Sequence, residues 1–144
     1  MATGDRVDPY AQFNFLIEIE GVVRGGFTEC TGLDTESDVI EYREGSMPPT
    51  VTKLPGLLKY SVIEMKAGFT DNKEIYSWRK TVLDRATERR NGSIVLRDEG
   101  GQEVLRWNFR EGWPSKWSGP QLNAKTNEAA MESLSITHEG LVLA

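Results

Sequence analysis

Two side chains suited to nucleophilic or general-base chemistry occur in the chain, each of them once. His138 could act as a general base, and Cys30 could act as a thiolate nucleophile. The sequence has no Gly-x-Ser-x-Gly elbow, no Walker A motif and no Gly-x-Gly-x-x-Gly loop to accompany them. We therefore interpret His138 as a structural histidine at a strand end and Cys30 as a small core or interface residue.

Carboxylates are abundant, with 22 Asp and Glu residues that could include a hydrolytic pair. Sequence alone cannot pair them, and most must lie on the solvated surface. With one cysteine and one histidine, a disulfide, a cysteine-rich zinc site and a two-histidine metal site within one chain are excluded. We predict no catalytic residue, no metal, no cofactor and no enzymatic activity.

A run of basic and aromatic residues could form a platform on which single-stranded nucleic acid stacks. It comprises Arg106, Trp107, Phe109, Arg110, Trp113, Lys116 and Trp117. The period of a strand places Trp107 and Phe109 opposite Arg106 and Arg110, whereas a platform needs both kinds on one face. The net charge of −5 also argues against binding to duplex DNA. The pattern favours a core role for these aromatic residues.

Composition indicates one globular domain over residues 1–144. Hydrophobic residues make up 38% and charged residues 27%, and the mean hydropathy is −0.45. No apolar run approaches the roughly 20 residues of a spanning helix, and the first residues lack a signal-peptide core. We expect assembly in the cytoplasm and no stable membrane insertion.

Alternating apolar and polar residues predict a mainly β domain with antiparallel strands. For example, Ile17 and Ile19 alternate with Glu18 and Glu20. Strands are predicted at residues 11–20, 22–31, 39–43, 57–66, 93–97 and 103–110, with a bent segment at 113–122. Residues 127–138 could begin as a helix, but their alternation favours a strand.

One helix is predicted over residues 71–90. Asp71 can cap its N-terminus, with Glu74 completing a capping box, and Asn91-Gly92 supplies a stop. An apolar stripe at helical spacing comprises Ile75, Trp78, Val82, Leu83 and Ala86. The predicted fold class is therefore α+β: a mainly β, mostly antiparallel domain with one helix packed on it.

Two further segments suggest contacts between copies. Residues 1–10 read as a polar N-terminal arm, and residues 45–56 read as a long loop. That loop contains three prolines and two glycines, yet also Met47, Val51 and Leu54, which are apolar for an exposed loop. The polar faces of the early strands are acidic. Unpaired strand edges and such a loop favour self-assembly by edge pairing.

Eight phrases, in this order and spacing, resemble the tail tube (inner tube) proteins of contractile phage tails and phage-tail-like contractile injection systems. They are FTECTGLD (27–34), VIEYREG (39–45), KLPGLLKY (53–60), WRK (78–80), RRNGSI (89–94), WNF (107–109), WPSKW (113–117) and HEG (138–140). The resemblance runs from about residue 10 to the C-terminus. It implies a fold of two packed antiparallel β-sheets, barrel-like, with one flanking helix. It also implies a structural subunit whose hexameric rings stack into a hollow tube inside a contractile sheath.

The resemblance also implies partners and contact residues. Expected partners are other copies of the chain, the sheath protein, baseplate or hub and tube-terminating proteins, and cargo or DNA passing through the lumen without sequence-specific binding. The long loop would reach a neighbouring subunit or ring through Met47, Pro48, Pro49, Val51, Lys53 and Leu54. Acidic candidates for the lumen lining are Glu18, Glu20 and Glu41. Two alternatives stay open, namely the related ring protein of type VI secretion and an acidic β-sandwich binding module or enzyme.

Overall fold

Strands dominate the chain in a computed structural model that describes residues 15–20, 27–45, 51–68, 73–125 and 128–144. The elements in these ranges are β1 (Phe15–Ile19), β2 (Phe27–Thr31), β3 (Thr35–Tyr42), β4 (Thr52–Tyr60), β5 (Ile63–Gly68), α1 (Glu74–Leu83), β6 (Arg90–Arg97), β7 (Glu103–Ser118), β8 (Met131–Thr137) and β9 (Gly140–Leu143). The predicted mainly β class with one helix and antiparallel sheets is confirmed.

The long strand β7 joins two sheets. Its first half pairs with β6 and β9, and its second half pairs with β8, so that the strand order is β1-β6-β7-β8-β5-β2 with β9 beside β7. Every one of these pairs is antiparallel. Between the two halves Glu111 adopts φ 53, and its backbone N–H donates to Asn91 Oδ1 at 3.1 Å. This left-handed residue bends β7 from one sheet into the other.

The core lies between the inner faces of the two sheets and under α1. Alternation along the strands places its members, as the sequence predicts, and Ile17 and Ile19 point inward while Glu18 and Glu20 are exposed. The buried cluster comprises Ile17, Ile19, Ile63, Met65, Ile75, Trp78, Ile94, Phe109, Leu134, Ile136 and Leu141. Arg79 on the helix donates to Pro114 O at 2.9 Å, which fastens α1 to β7.

Two strand predictions are confirmed in register. The strands predicted at 93–97 and 103–110 form a hairpin with Ile94 opposite Trp107. The ambiguous segment 127–138 contains β8, in which Leu134 and Ile136 are buried. Strand β9 has no counterpart among the predictions, because its short run of apolar residues lacks a clear period.

The helix is shorter than predicted. It ends at Leu83, Arg85 adopts φ 62, and residues 84–89 are not helical. Asn91 and Gly92 therefore lie in β6 and do not stop a helix. The physical reason is packing, because a Cβ on Gly92 would lie 2.5 Å from Phe109 Cζ. The N-cap predicted at position 71 lies outside the described residues, and Lys73 precedes the helix without a side-chain cap.

The loop predicted at 45–56 is in part a strand, which is a second correction. β4 begins at Thr52, and it ends at Tyr60, so the strand predicted at 57–66 is divided between β4 and β5. Pro55 is tolerated because β4 pairs only with β3 in a two-stranded sheet, where every strand is an edge. Residues 46–50 lie outside the described ranges, as do residues 1–14 with the predicted arm, and residues 22–26.

Candidate functional site

The β3–β4 hairpin is an exposed two-stranded sheet of its own, separate from the two sheets that β7 joins. Its apolar side chains face solvent: Leu57 is 73%, Leu58 68% and Val39 62% exposed. Ile40, Tyr42, Val51 and Leu54 are also exposed. Exposed apolar side chains in this number mark a contact site more often than a monomer surface. The hairpin is therefore the first candidate functional site.

After β4, the two residues Ser61 and Val62 connect the hairpin to β5 in the core. On its incoming side Gly32 adopts φ +93, and a Cβ there would lie 2.0 Å from Val62 O. Only glycine fits this close crossing of the two connections. The crossing holds the hairpin at a fixed root on the sheet formed by β2 and β5.

Three of the predicted contact residues lie on this hairpin. Lys53 stands opposite Glu41 and Leu54 opposite Ile40, and Val51 directly precedes β4. The structure therefore brings Glu41, a predicted lumen residue, next to predicted contact residues. Met47, Pro48 and Pro49 lie outside the described residues.

Glu18 and Glu20 lie on a different surface, the outer face of the β1-β6-β7-β9 sheet. Arg106 Nη1 lies 3.1 Å from a Glu18 carboxylate oxygen, and Arg106 Nη2 lies 2.6 Å from Glu103. The hydrogen bonds to Glu103 and Glu18 raise the pKa of Arg106. The backbone N–H of Asn91 donates to a Glu20 carboxylate oxygen at 3.4 Å. The Glu18 carboxylate on this face is therefore compensated by Arg106, and Glu41 does not belong to the face.

A shallow groove of about 580 Å³ crosses the same outer face. Glu18, Glu20, Asn108, Arg110 and Val142 are among its lining residues. Arg110 and Arg89 both approach the Glu139 carboxylate, at 3.7 and 3.3 Å. The groove combines charges of both signs with an apolar floor, so its geometry does not select one sign of ligand.

His138 and Cys30 both have structural surroundings. His138 Nε2 donates to Ser61 O at 3.1 Å. The centroid of its ring lies 5.5 Å from the ring centroid of Tyr60 and 6.1 Å from that of Phe109. The histidine therefore binds the connection at the root of the hairpin. Burial raises the pKa of the Cys30 thiol to about 11, so the thiolate is scarce near neutral pH. The interpretation of Cys30 as a small residue packed against the core is confirmed.

Acid should destabilise the fold in part through His138. Burial lowers the pKa of His138 below its ordinary 6.5, while backbone groups of Ser61 and Gly140 partly oppose the change. The unfolded chain therefore binds the proton more readily, so this contribution is complete above pH 6.5 and is lost as the pH falls through the folded pKa. We expect the urea midpoint to fall more between pH 7.5 and 5.5 in the wild type than in His138→Gln. Equal decreases would contradict this.

The aromatic residues of β7 serve the core. Phe109 is 2% exposed and Trp107 is half-buried, while Arg110 on the same strand is exposed. Trp117 packs edge-on against Tyr76 with ring centroids 5.0 Å apart, and its Nε1 donates to Glu132 at 3.2 Å. The prediction that these rings form no stacking platform agrees with their packing.

Among the residues that the structure describes, no group of three or more His, Cys, Asp or Glu side chains is placed to hold a metal ion. In the same part of the chain, no helix is both long and apolar enough to cross a membrane. The prominent features are two sheets that share one core, a flanking helix and a solvent-exposed apolar hairpin. These define a class of protein, a β-rich domain that exposes an apolar hairpin to solvent.

A family model places the chain within that class. The model of T4-like virus tail tube protein gp19 matches residues 11–142. The chain belongs to this tail tube family, and the resemblance inferred from its sequence phrases is confirmed. A comparison with curated protein sequences gave no significant match.

Solved structures share the fold. A chain of the sheath–tube complex of the extracellular contractile injection system PVC in its extended state is 22% identical, with a TM-score of 0.84 over 94% of this chain and 91% of that one. A chain of the anti-feeding prophage tube-terminating cap is 23% identical, with a TM-score of 0.86 over 99% and 95%. Hcp1 from Flavobacterium johnsoniae is 15% identical, with a TM-score of 0.53 over 89% and 94%. The weaker similarity to Hcp1 disfavours the type VI alternative.

Proposed function

We propose that the chain is the inner-tube subunit of a contractile tail or contractile injection system. Hexameric rings of the chain stack into a hollow tube, which sheath contraction drives through a target envelope. The observation that carries the proposal is the exposed apolar hairpin, in a chain that belongs to a tail tube family. A monomer would leave this surface in water, whereas stacked rings would bury it.

The hairpin makes the contact between rings. Its exposed apolar residues, including Leu54 and Val51, pack against a neighbouring subunit, and the segment 46–50 belongs to the same contact. A hairpin that meets a different surface on the next copy makes a heterologous contact, which continues into a filament. Edge strands such as β1, β2 and β9 supply backbone groups for pairing around the ring. Residues 1–144 act as one tube domain, with residues 1–10 as an arm to a neighbour.

The outer face of the β1-β6-β7-β9 sheet is a candidate for the lumen lining. Its carboxylates Glu18 and Glu20 line the same groove as Arg110, and Arg106 pairs with Glu18, so a lumen lined by this face would be electrically mixed. Such a lining would let cargo or DNA pass without strong retention. Glu41 would contribute at the ring junction, since it lies on the hairpin.

Partners follow from the setting of the similar structures, which include a sheath–tube complex, a baseplate and a tube-terminating cap. A tube of this chain would meet a sheath along its length, a baseplate or hub at one end and a terminator at the other. Its role would be structural and not enzymatic, with assembly in the cytoplasm before release of the particle.

Electron microscopy of the purified chain tests the proposal. Negative staining, with light scattering on the same sample, should show six-fold rings or stacked tubes well above the 16.2 kDa of one chain. Addition of purified baseplate supplies a template in a second arm. A monomer at high concentration in both arms would contradict the proposal and favour a binding module.

A further inference from the structure

The solvent face of α1 combines apolar and basic side chains. Tyr76, Lys80 and Leu83 lie at i, i+4 and i+7, so they share one face. Tyr76 is 40% and Leu83 55% exposed, while Ile75 and Trp78 on the opposite face are buried. We call Tyr76, Lys80 and Leu83 the helix strip. It presents a lysine between two apolar side chains.

The surroundings of the helix strip are basic in an acidic chain. Residues 73–90 carry six Lys and Arg against three Asp and Glu, whereas the whole chain has a net charge of −5. Arg89 and Arg90 are matched by Glu139 and Glu88. Within the described ranges, Lys80 and Arg85 have no carboxylate within salt-bridge distance. Positive charge therefore remains available beside the apolar side chains.

The hairpin has the opposite composition. Residues 34–60, which include both strands of the hairpin, carry five Asp and Glu against three Lys and Arg. Along β3, Glu36 and Asp38 lie on the same face as Ile40 and Tyr42, since strand residues alternate. Lys59 lies 2.9 Å from Asp38 and neutralises it in part, and Glu36 is exposed. This surface, the hairpin face, presents carboxylate next to exposed apolar side chains.

We infer that the hairpin face of one copy docks on the helix strip of another copy, an inference that rests on the proposed tube function. The two surfaces complement each other in charge, and both expose apolar side chains that a contact would bury. Within one chain α1 packs against β7, and β3 packs against β4. In the part of the chain that the structure describes, the side chains of both surfaces are exposed, so a neighbouring copy could contact them. The contact is heterologous and continues from ring to ring.

A second copy is the occupant that the charges favour. Copies with a net charge of −5 repel one another on average, so stacking needs a local surface of opposite sign. The chain carries one at residues 73–90, next to exposed Tyr76 and Leu83. A different acidic protein, such as a sheath subunit, is the competing occupant, and the experiment separates the two.

Charge reversal on each surface tests the contact. Lys80→Glu would place like charges at the docking contact, and so would Glu36→Lys. We expect either variant alone to need at least about tenfold more subunit for long tubes, because like charges at an interface cost several kcal/mol. Matched controls are Lys125→Glu and Glu99→Lys, which change equally exposed residues elsewhere. Both controls should assemble as the wild type does.

An equimolar mixture of the two variants is the decisive arm. The acidic hairpin of Lys80→Glu fits the basic strip of Glu36→Lys, and the reversed surfaces fit each other, so alternating copies restore both contacts. Tube length by electron microscopy should recover in the mixture. Glu36→Lys places a lysine directly opposite Lys59 in the hairpin. Circular dichroism therefore checks that this variant is folded. If Glu36→Lys is unfolded, Glu36→Gln replaces it as the single variant, and its tubes should be shorter than those of the wild type at the same subunit concentration.

The outcomes are distinct. Failure of the wild-type chain to form tubes, with or without baseplate, would contradict the proposed function itself. Wild-type tubes together with unaltered tubes of Lys80→Glu would overturn the docking inference alone and leave the helix strip for another protein. Loss in both variants without recovery in the mixture would also overturn it.

Discussion

Leu54→Asp should leave single rings intact and abolish long tubes. Leu54 is 43% exposed on the hairpin and stands opposite Ile40, so in the proposed stack it is buried between copies. An aspartate there would be an unpaired charge in an apolar contact, which costs about 3–5 kcal/mol. Each ring repeats the contact, so the loss multiplies around the circumference. Electron microscopy and sedimentation velocity measure ring and tube populations.

Leu122→Asp is the matched control. Leu122 is 83% exposed in the coil that follows β7, and the same change of side chain there should leave tubes unaltered. Tubes of normal length from Leu54→Asp would contradict the assignment of the hairpin to the stacking contact. Loss of rings as well as tubes would assign the hairpin to the contact within a ring instead of the stacking contact.

Trp78→Ala should remove a large part of the stability of the fold. Trp78 is 1% exposed, its Nε1 donates to Glu88 O at 2.8 Å, and the Arg90 guanidinium lies 5.3 Å from its ring centroid. Truncation of a buried aromatic residue to alanine costs about 3–5 kcal/mol, in a domain for which 5–15 kcal/mol is typical. Urea unfolding at low protein concentration, where rings do not stack, measures the change.

Leu83→Ala on the same helix is the control, because Leu83 is 55% exposed. Its cost should stay below about 1.5 kcal/mol, since little apolar surface is buried there. Similar losses in the two variants would show that Trp78 does not anchor α1. The hydrogen bond from the Trp78 indole to the Glu88 carbonyl also explains why the segment after the helix turns back toward the core.

Local patterns in the sequence predict the strands that have one face packed in the core and the other face in water. Ile17 and Ile19 alternate with glutamates, and Leu134 and Ile136 alternate with serines, so one face of each strand must be buried. The Trp107 and Phe109 alternation likewise predicts that the β7 aromatics pack inward. Val51 and Leu54 are recognisable because they are apolar residues in a proline-rich segment, whereas only the resemblance to the family points to Lys53.

Other features depend on partners distant in the sequence, so the tertiary structure decides them. Residues 84–89 leave the helix where the Trp78 indole binds Glu88 O, and Gly92 lies in a strand because Phe109 packs against it. Pro55 belongs to a strand because its sheet has only two members. The sequence analysis does not identify the helix strip, although the surplus of Lys and Arg over residues 73–90 is a usable signal for it.

The sequence by itself determines that this chain is a β-rich protein of the tail tube family with one amphipathic helix, because strand and helix periods are local properties and the family phrases are contiguous. Only the tertiary structure decides that Glu18 is compensated by Arg106 and that Glu41 belongs to the hairpin. Such pairings join residues far apart in the chain. Their geometry exists only when the sheets have folded around a common core.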